Sequence, residues 1–241
     1  MAQGNMEIRP IGVDGVLVRF GRDLTEAAVQ RAMAFRDRVA GLDLPGVTEI
    51  APALVSVRIG FDPARTSRKA LVAALQMAEL GADTNTGPTR RWDIPTAFGP
   101  DHAPQLAEVA ELAGLTPDQA VEEIAAQTVR VMAIGFAPGQ PYLGLLPDHW
   151  DIPRQTALTD HMPRGALVTA VRQLIIFAAD APTGWRHIGQ TGFAVYRPEA
   201  TDPFPLAPGD ALRFCPVSDS EFATLRDSGD PNGGARCVML T

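Results

Sequence analysis

The residues of widest chemical reach gather in two stretches rich in proline and glycine. The first, GFAPGQPYLGLLP at 135–147, carries no charge. Pro138, Pro141 and Pro147 fix φ and remove amide donors, while Gly135, Gly139 and Gly144 admit positive φ or a close backbone approach. A loop so constrained is pre-ordered. It can hold the amides of Gly139, Tyr142 and Leu143 toward a ligand, or present Phe136 and Tyr142 to a partner; a rigid strand connection uses the same composition. The second stretch, DAPTGWRHIGQTGFAVY at 180–196, sets Trp185 between Gly184 and Arg186, ahead of His187, Gly189 and Thr191. A tryptophan beside glycines marks either a contact surface or a half-buried barrel plug. His187 is the best-placed group for proton transfer. Arg154, Arg164 and Arg186 are cations for a carboxylate or phosphate, unless they pair with Asp148, Asp151, Asp160 and Asp180.

Other chemistries are excluded by what is missing. Lys69 is the only lysine, so there is no phosphate-binding GxxxxGK[ST] loop, and a Schiff base would have to use a residue of a surface helix. No GxSxG elbow occurs, and no serine lies between Ser67 and Ser218, which rules out a serine nucleophile in either stretch. His102, His149, His161 and His187 lack metal-ligand spacing, and Cys215 and Cys237 form no CxxC, so no metal site is evident. Cys215 is expected to be a buried strand residue. The net charge of −7 argues against a nucleic-acid coat. With no apolar leader and no segment of membrane-span length, the expectation is a cytoplasmic protein with reduced thiols.

Positioning these residues needs a scaffold, and the 241 residues have room for two small domains. In residues 1–88 the pattern reads strand pair, helix, strand pair, helix. The strands fall at Glu7–Pro10, Gly15–Phe20, Val47–Ile50 and Leu54–Phe61, with Ala51–Ala53 as a break. One helix is capped by Asp23 or Thr25 and the other opened by Ser67. This predicts a small α+β domain with helices on one face of an antiparallel sheet. GADTNTGPT at 81–89 is the best linker candidate. Residues 89–241 read as a mainly β domain with a helical insertion at about 101–127. Within the insertion, Thr116, Pro117 and Gln119 spell a helix start with a capping box. Beyond it come short strands at Val129–Ile134, Ala166–Val171, Leu174–Ala179, His187–Tyr196 and Asp210–Cys215, a short helix started by Ser218, and a last strand at Arg236–Leu240. Such a run of strands and turns predicts a barrel or sandwich.

In order and spacing, GFAPGQPYLGLLP, DIPR, MPRGALV, APTGWRHIGQT and PLAPGDALRF resemble one family over nearly the whole chain. It is variously called allophanate hydrolase subunit 1, KipI-like, or the B-type subunit of the bacterial ATP-dependent 5-oxoprolinase. The resemblance implies an α+β N-terminal domain followed by a mainly β, cyclophilin-like barrel domain. It implies a heteromer with a C-type or KipA-like protein (allophanate hydrolase subunit 2), and a third 5-oxoprolinase subunit. Related paired domains form the carboxyltransferase part of urea carboxylase. The reaction would open 5-oxo-L-proline to L-glutamate with ATP as a cofactor of the complex, not necessarily bound by this chain. Hydrolysis of allophanate itself belongs to an amidase with a Ser-Ser-Lys set, which this chain lacks.

On this resemblance the site is expected on the barrel face built from 135–147 and 180–191. Phe136, Gly139, Gln140, Tyr142, Trp185 and Thr191 would shape the pocket, Gln173 would hydrogen-bond the substrate, and Arg154 and His187 would handle charge. Several positions depart from the family pattern. Gln140 replaces a phenylalanine, Ile124 and Val129 stand where a histidine and a tyrosine are common, Thr159 replaces an arginine, and Gln190 stands in GQT for GRT. VPAGS has become MPRGA at 162–166, QTGIYP has become QLIIFA at 173–178, and Thr183 replaces a glycine. Two other readings follow. One is a KipI-like regulator that inhibits a histidine kinase through the apolar 174–178 run and the rigid loop. The other is a carboxyltransferase-type subunit acting on another amide or urea-like substrate.

Overall fold

The computed structural model describes residues 6–80 and 87–240, and the chain divides into two compact units, up to Gly87 and from Pro88. Most of the linker expected at 81–89 lies outside the described residues.

In the first unit, β1 (Glu7–Ile11) and β2 (Gly15–Arg19) form a hairpin. Helix α1 (Glu26–Gly41) follows, then β3 (Val47–Ala53), β4 (Ser56–Phe61) and α2 (Arg68–Leu80). The four strands pair antiparallel in the order β1-β2-β4-β3. Val16, Val18, Val57 and Ile59 alternate onto one face, where they pack with Phe35 and Val39 of α1 and Leu71 and Leu75 of α2. Thr25 caps α1, its Oγ1 accepting from the Ala28 amide. The expected break at 51–53 is absent. Strand β3 runs through Pro52, which sits opposite Val57, and the chain reverses at Leu54, φ +56°. Proline forfeits one donor yet keeps an extended backbone, so it interrupts a strand only where that N–H is needed.

The second unit begins with β5 (Arg90–Ala97), α3 (Leu106–Leu112), α4 (Pro117–Ala126), β6 (Val129–Ile134) and β7 (Pro141–Gly144). It continues with β8 (Thr159–Met162), β9 (Ala166–Ala170), β10 (Gln173–Ile176), β11 (Ala181–Thr183) and β12 (Arg186–Thr191). It ends with β13 (Ala211–Val217), α5 (Asp219–Asp227) and β14 (Arg236–Met239). Seven strands close into a barrel in the order β6-β13-β5-β12-β9-β10-β7, and β7 returns to pair with β6. The β13–β5 pair is parallel and the other pairs are antiparallel. Strand β14 adds to β5, and β8 with β11 makes a separate ribbon. This is the α+β unit followed by a mainly β barrel that the sequence predicted.

Two readings change in the barrel. Residues 135–147 are not one loop: 135–140 turn, Pro141–Gly144 is β7, the strand that closes the barrel, and 145–147 leave it as a second connection. Proline is tolerated at the first position of a strand, and four residues are too few to show a period of two. The β9–β10 turn sits at Val171 and Arg172, both with positive φ, one residue earlier than expected. Residues with Cβ resist that conformation. Here it is held by the segment before β8: the Val171 amide donates to the Ile152 carbonyl at 2.8 Å, and Arg172 Nε donates to the Leu146 carbonyl at 2.8 Å. The continuous apolar run of β10 is explained by burial on both faces. Leu174 and Ile176 join one core with Ile94, Val131, Leu143, Leu167 and Phe214, while Ile175 and Phe177 join a second with Met162, Val168 and Trp185. Cys215 is half-buried in β13 rather than buried, and Cys237 is exposed. Among the described residues, no helix is long and apolar enough to cross a membrane.

Candidate functional site

Strand register arranges the outward face of the barrel. Tyr142 of β7 lies opposite Ile175 of β10, Ile175 opposite Val168 of β9, and Val168 opposite His187 of β12. Tyr142 and His187 thus end one cross-strand row, roughly 14 Å apart at the usual strand spacing. Trp185 packs over the middle of the row with Val168 and Ile175. A cleft lies toward each end.

The cleft at the Tyr142 end has a volume of about 190 Å³ and is lined by Gln140, Tyr142, Arg154, Ile175, Phe177, Thr183 and Trp185, with Phe136 and Leu158 at its rim. The 135–140 turn delivers Gln140. Its ends are clasped by the Gly135 amide donating to the Gln140 carbonyl at 3.0 Å, and Gly139 takes φ +75°. A Cβ at Gly139 would collide with the Val195 carbonyl, so only glycine lets the turn approach the segment that follows β12. Gln140 is 2% exposed, and its Oε1 accepts from the Ala178 amide at 3.3 Å, which leaves Nε2 to donate into the cleft. Phe136, by contrast, stands 77% exposed at φ +72°. On the opposite wall the Gln155 amide donates to the Gly184 carbonyl at 2.7 Å, and Gln155 Nε2 donates to the Trp185 carbonyl at 3.2 Å. These bonds set the neighbouring Arg154 guanidinium over the Trp185 ring, 5.1 Å from its centroid. Tyr142 meets the same ring edge-on at 6.3 Å. Arg154 has no carboxylate partner among the described residues. One stacked cation, one amide donor and aromatic walls suit a small flat ligand bearing a negative charge. Among the described residues no Asp, Glu, His or Cys lines the cleft, and the Tyr142 hydroxyl is the group there that could move a proton.

Five of the predicted residues therefore meet: Phe136, Gln140, Tyr142, Arg154 and Trp185. His187 and Thr191 line the second cleft, at the other end of the row. His187 is 8% exposed, and its Nε2 is buried without a hydrogen-bond partner among the described residues. Burial pushes its pKa below the usual histidine range, against the smaller opposing effects of the Gly189 backbone and the Gln190 side chain. Its backbone is fixed by Gln105, whose Oε1 accepts from the His187 amide at 2.9 Å. Thr191 Oγ1 accepts from the Phe193 amide at 2.7 Å, a structural bond. Gln173 lines neither cleft; it is buried in β10 with Nε2 unpartnered among the described residues. Gly139 shapes the turn without lining the cleft. Of the other candidates, Arg186 pairs with Glu108 at 2.7 Å, His149 with Glu123 at 2.9 Å and His161 with Asp180 at 3.0 Å. Sequence reasoning missed Ile175, Phe177 and Thr183 as lining residues. The period of two in β10 places 175 and 177 on one face, but an unbroken apolar run hides it. Among the described residues, no group of His, Cys, Asp and Glu is placed to hold a metal ion.

Residues 6–206 match the carboxyltransferase domain, subdomains C and D, and the chain belongs to that family. It is similar to the B-type subunit of 5-oxoprolinase from Bacillus subtilis (strain 168), 25% identical over 238 residues, which is 93% of this chain and 98% of that one. To the B-type 5-oxoprolinase subunit of Escherichia coli O157:H7 it is 29% identical over 209 residues, 87% of this chain and 95% of that one. Among solved structures it resembles TTHA0988, with a TM-score of 0.71 at 29% identity, over 88% of this chain and 40% of that chain.

Proposed function

We propose that this chain is the B-type subunit of a 5-oxoprolinase-like complex, which opens the cyclic amide of 5-oxo-L-proline to L-glutamate with ATP. The observation that carries the reading is end-to-end similarity to two B-type 5-oxoprolinase subunits, over at least 87% of this chain and 95% of theirs. The Trp185 cleft fits the substrate's chemistry. Arg154 takes the carboxylate, Gln140 Nε2 donates to the lactam carbonyl, and Trp185 and Tyr142 flank the ring. Among the described residues the cleft has no carboxylate or imidazole, and at about 190 Å³ with a single cation it is a poor fit for a nucleoside triphosphate. We therefore assign ATP and the proton-transfer group to partner subunits: a C-type or KipA-like protein and a third 5-oxoprolinase subunit. Of the two surfaces of the regulator reading, residues 174–178 are all buried, and Phe136 of the 135–140 turn is exposed.

The test is reconstitution. Co-expression with the two presumed partners is expected to give ATP hydrolysis and glutamate release that depend on 5-oxoproline. Omitting this chain should abolish both, and Arg154→Ala should lower kcat/KM by about tenfold or more, chiefly through KM. Equal turnover with and without the chain refutes the assignment.

A further inference from the structure

The net charge of the chain is unevenly placed. Residues 92–129 carry seven carboxylates and no lysine or arginine, while the 21 carboxylates elsewhere match the 21 lysines and arginines, so the whole excess of −7 lies in this stretch. It contains α3 and α4, which with the 98–104 segment enclose a groove of about 680 Å³. The floor of the groove is apolar. Phe98 and Val121 are half-buried and pack on the barrel unit's core, to which Leu106 belongs. Pro104 and Pro117 stand exposed on its walls. Asp118 and Glu122, one turn apart on α4, are its charged residues. Among the described residues no cation lines the groove, and neither carboxylate has an ion pair, whereas the nearby Glu108 and Glu123 are engaged by Arg186 and His149.

The groove is preformed. Gly189 of β12 lies so close to the Phe98 ring that a Cβ there would meet it at 3.1 Å, and the capping box of Thr116 and Gln119 fixes the start of α4. Chemistry narrows what can fill it. An apolar floor beneath unpaired carboxylates favours an apolar group that carries positive charge. A bare cation would leave the floor wet, and the acidic stretch repels an anionic lipid surface or a nucleic acid. A protein segment whose apolar side chains are flanked by arginine or lysine meets both demands. A subunit of a complex, as proposed above, has such a chain beside it.

We propose that the groove between α3 and α4 docks a partner subunit, through a segment of apolar residues flanked by arginine or lysine. The inference rests on the subunit reading, but not on the Trp185 cleft or its substrate. Its test is a binding titration of the immobilised full chain with the two presumed partner subunits, separately and together. The parent is expected to bind saturably. Ala107→Arg, which fills the groove with a charge like the segment's own, and Glu122→Lys should each weaken binding by about tenfold or more. Glu199→Lys, an equal change of charge outside the groove, should leave it unchanged. All three positions are exposed, so the variants are expected to unfold at the parent temperature, which thermal melting checks. In place of Ala107, p-benzoylphenylalanine should photo-crosslink to the partner beside arginine or lysine residues, read by mass spectrometry. Parent affinity in either groove variant overturns the docking assignment alone. So does equal weakening by Glu199→Lys, or cross-linking to a second copy of this chain or to a segment without arginine or lysine. Absence of any binding by the parent overturns the subunit reading together with it.

Discussion

Burial holds the His187 imidazole below the usual histidine range, disfavouring the charged form more than Gly189 and Gln190 favour it. Its folded pKa lies below its unfolded value near 6.5. Above that value both states are unprotonated and His187 contributes nothing to the pH dependence. As pH falls below about 6.5, the unfolded chain binds a proton that the folded chain refuses, so stability is lost down to the lowered folded value. Thermal unfolding between about pH 7.5 and about pH 5.5 should show a falling midpoint, and His187→Gln should flatten the fall. Glu7 and Asp180 also sit below their usual range, through Arg19 and through the Arg164 amide respectively, but they act only below about pH 5, outside this window. An unchanged slope in His187→Gln would show that other groups set the dependence.

At the scale of elements, helix α4 and strand β7 differ in how firmly their own residues specify them. The start of α4 is local chemistry. Thr116 Oγ1 accepts from the Gln119 amide at 3.3 Å, Gln119 Oε1 accepts from the Thr116 amide at 2.9 Å, and Pro117 fits the first turn. The cap anchors a helix that buries Ala120 and Ile124 in the barrel unit's core. Thr116→Ala should therefore cost about 1 kcal/mol, and lower the melting temperature by roughly 2–4 °C for a chain of this size, with Thr116→Ser close to the parent. Calorimetry or urea unfolding reads this directly. Strand β7 is specified from outside. Its four residues acquire strand geometry from β6 on one side and β10 on the other, which explains why its sequence reads as part of a loop.

On the scale of the whole molecule, each unit has a core of its own. The first packs its helices on a four-stranded sheet, and the second fills a closed barrel. A closed barrel leaves none of its seven strands with an open edge. We expect residues 88–241 expressed alone to give a single cooperative unfolding transition with native-like tryptophan fluorescence. Trp92, Trp150 and Trp185 all lie in that fragment and are buried, so a fragment without ordered packing would expose them and shift their emission to the red.

The sequence by itself determined whatever depends on near neighbours. Caps at Thr116 and Ser218, and a cap at Asp23 or Thr25, are written in residues a few positions apart, and the structure has caps at Thr25, Thr116 and Ser218. The unit pattern of strands and helices, and the family, were legible for the same reason: motif order and periodicity survive without coordinates. Only the tertiary structure decided how the candidate residues group. Gln140 and Arg154 come together because β7 and the 153–155 segment converge on Trp185. His187, two residues from Trp185 in sequence, belongs to the other cleft, because the bulged β12 carries it to the far end of the cross-strand row. Register across a barrel is set by pairing between distant strands, and no local pattern encodes which residues of those strands will face one another.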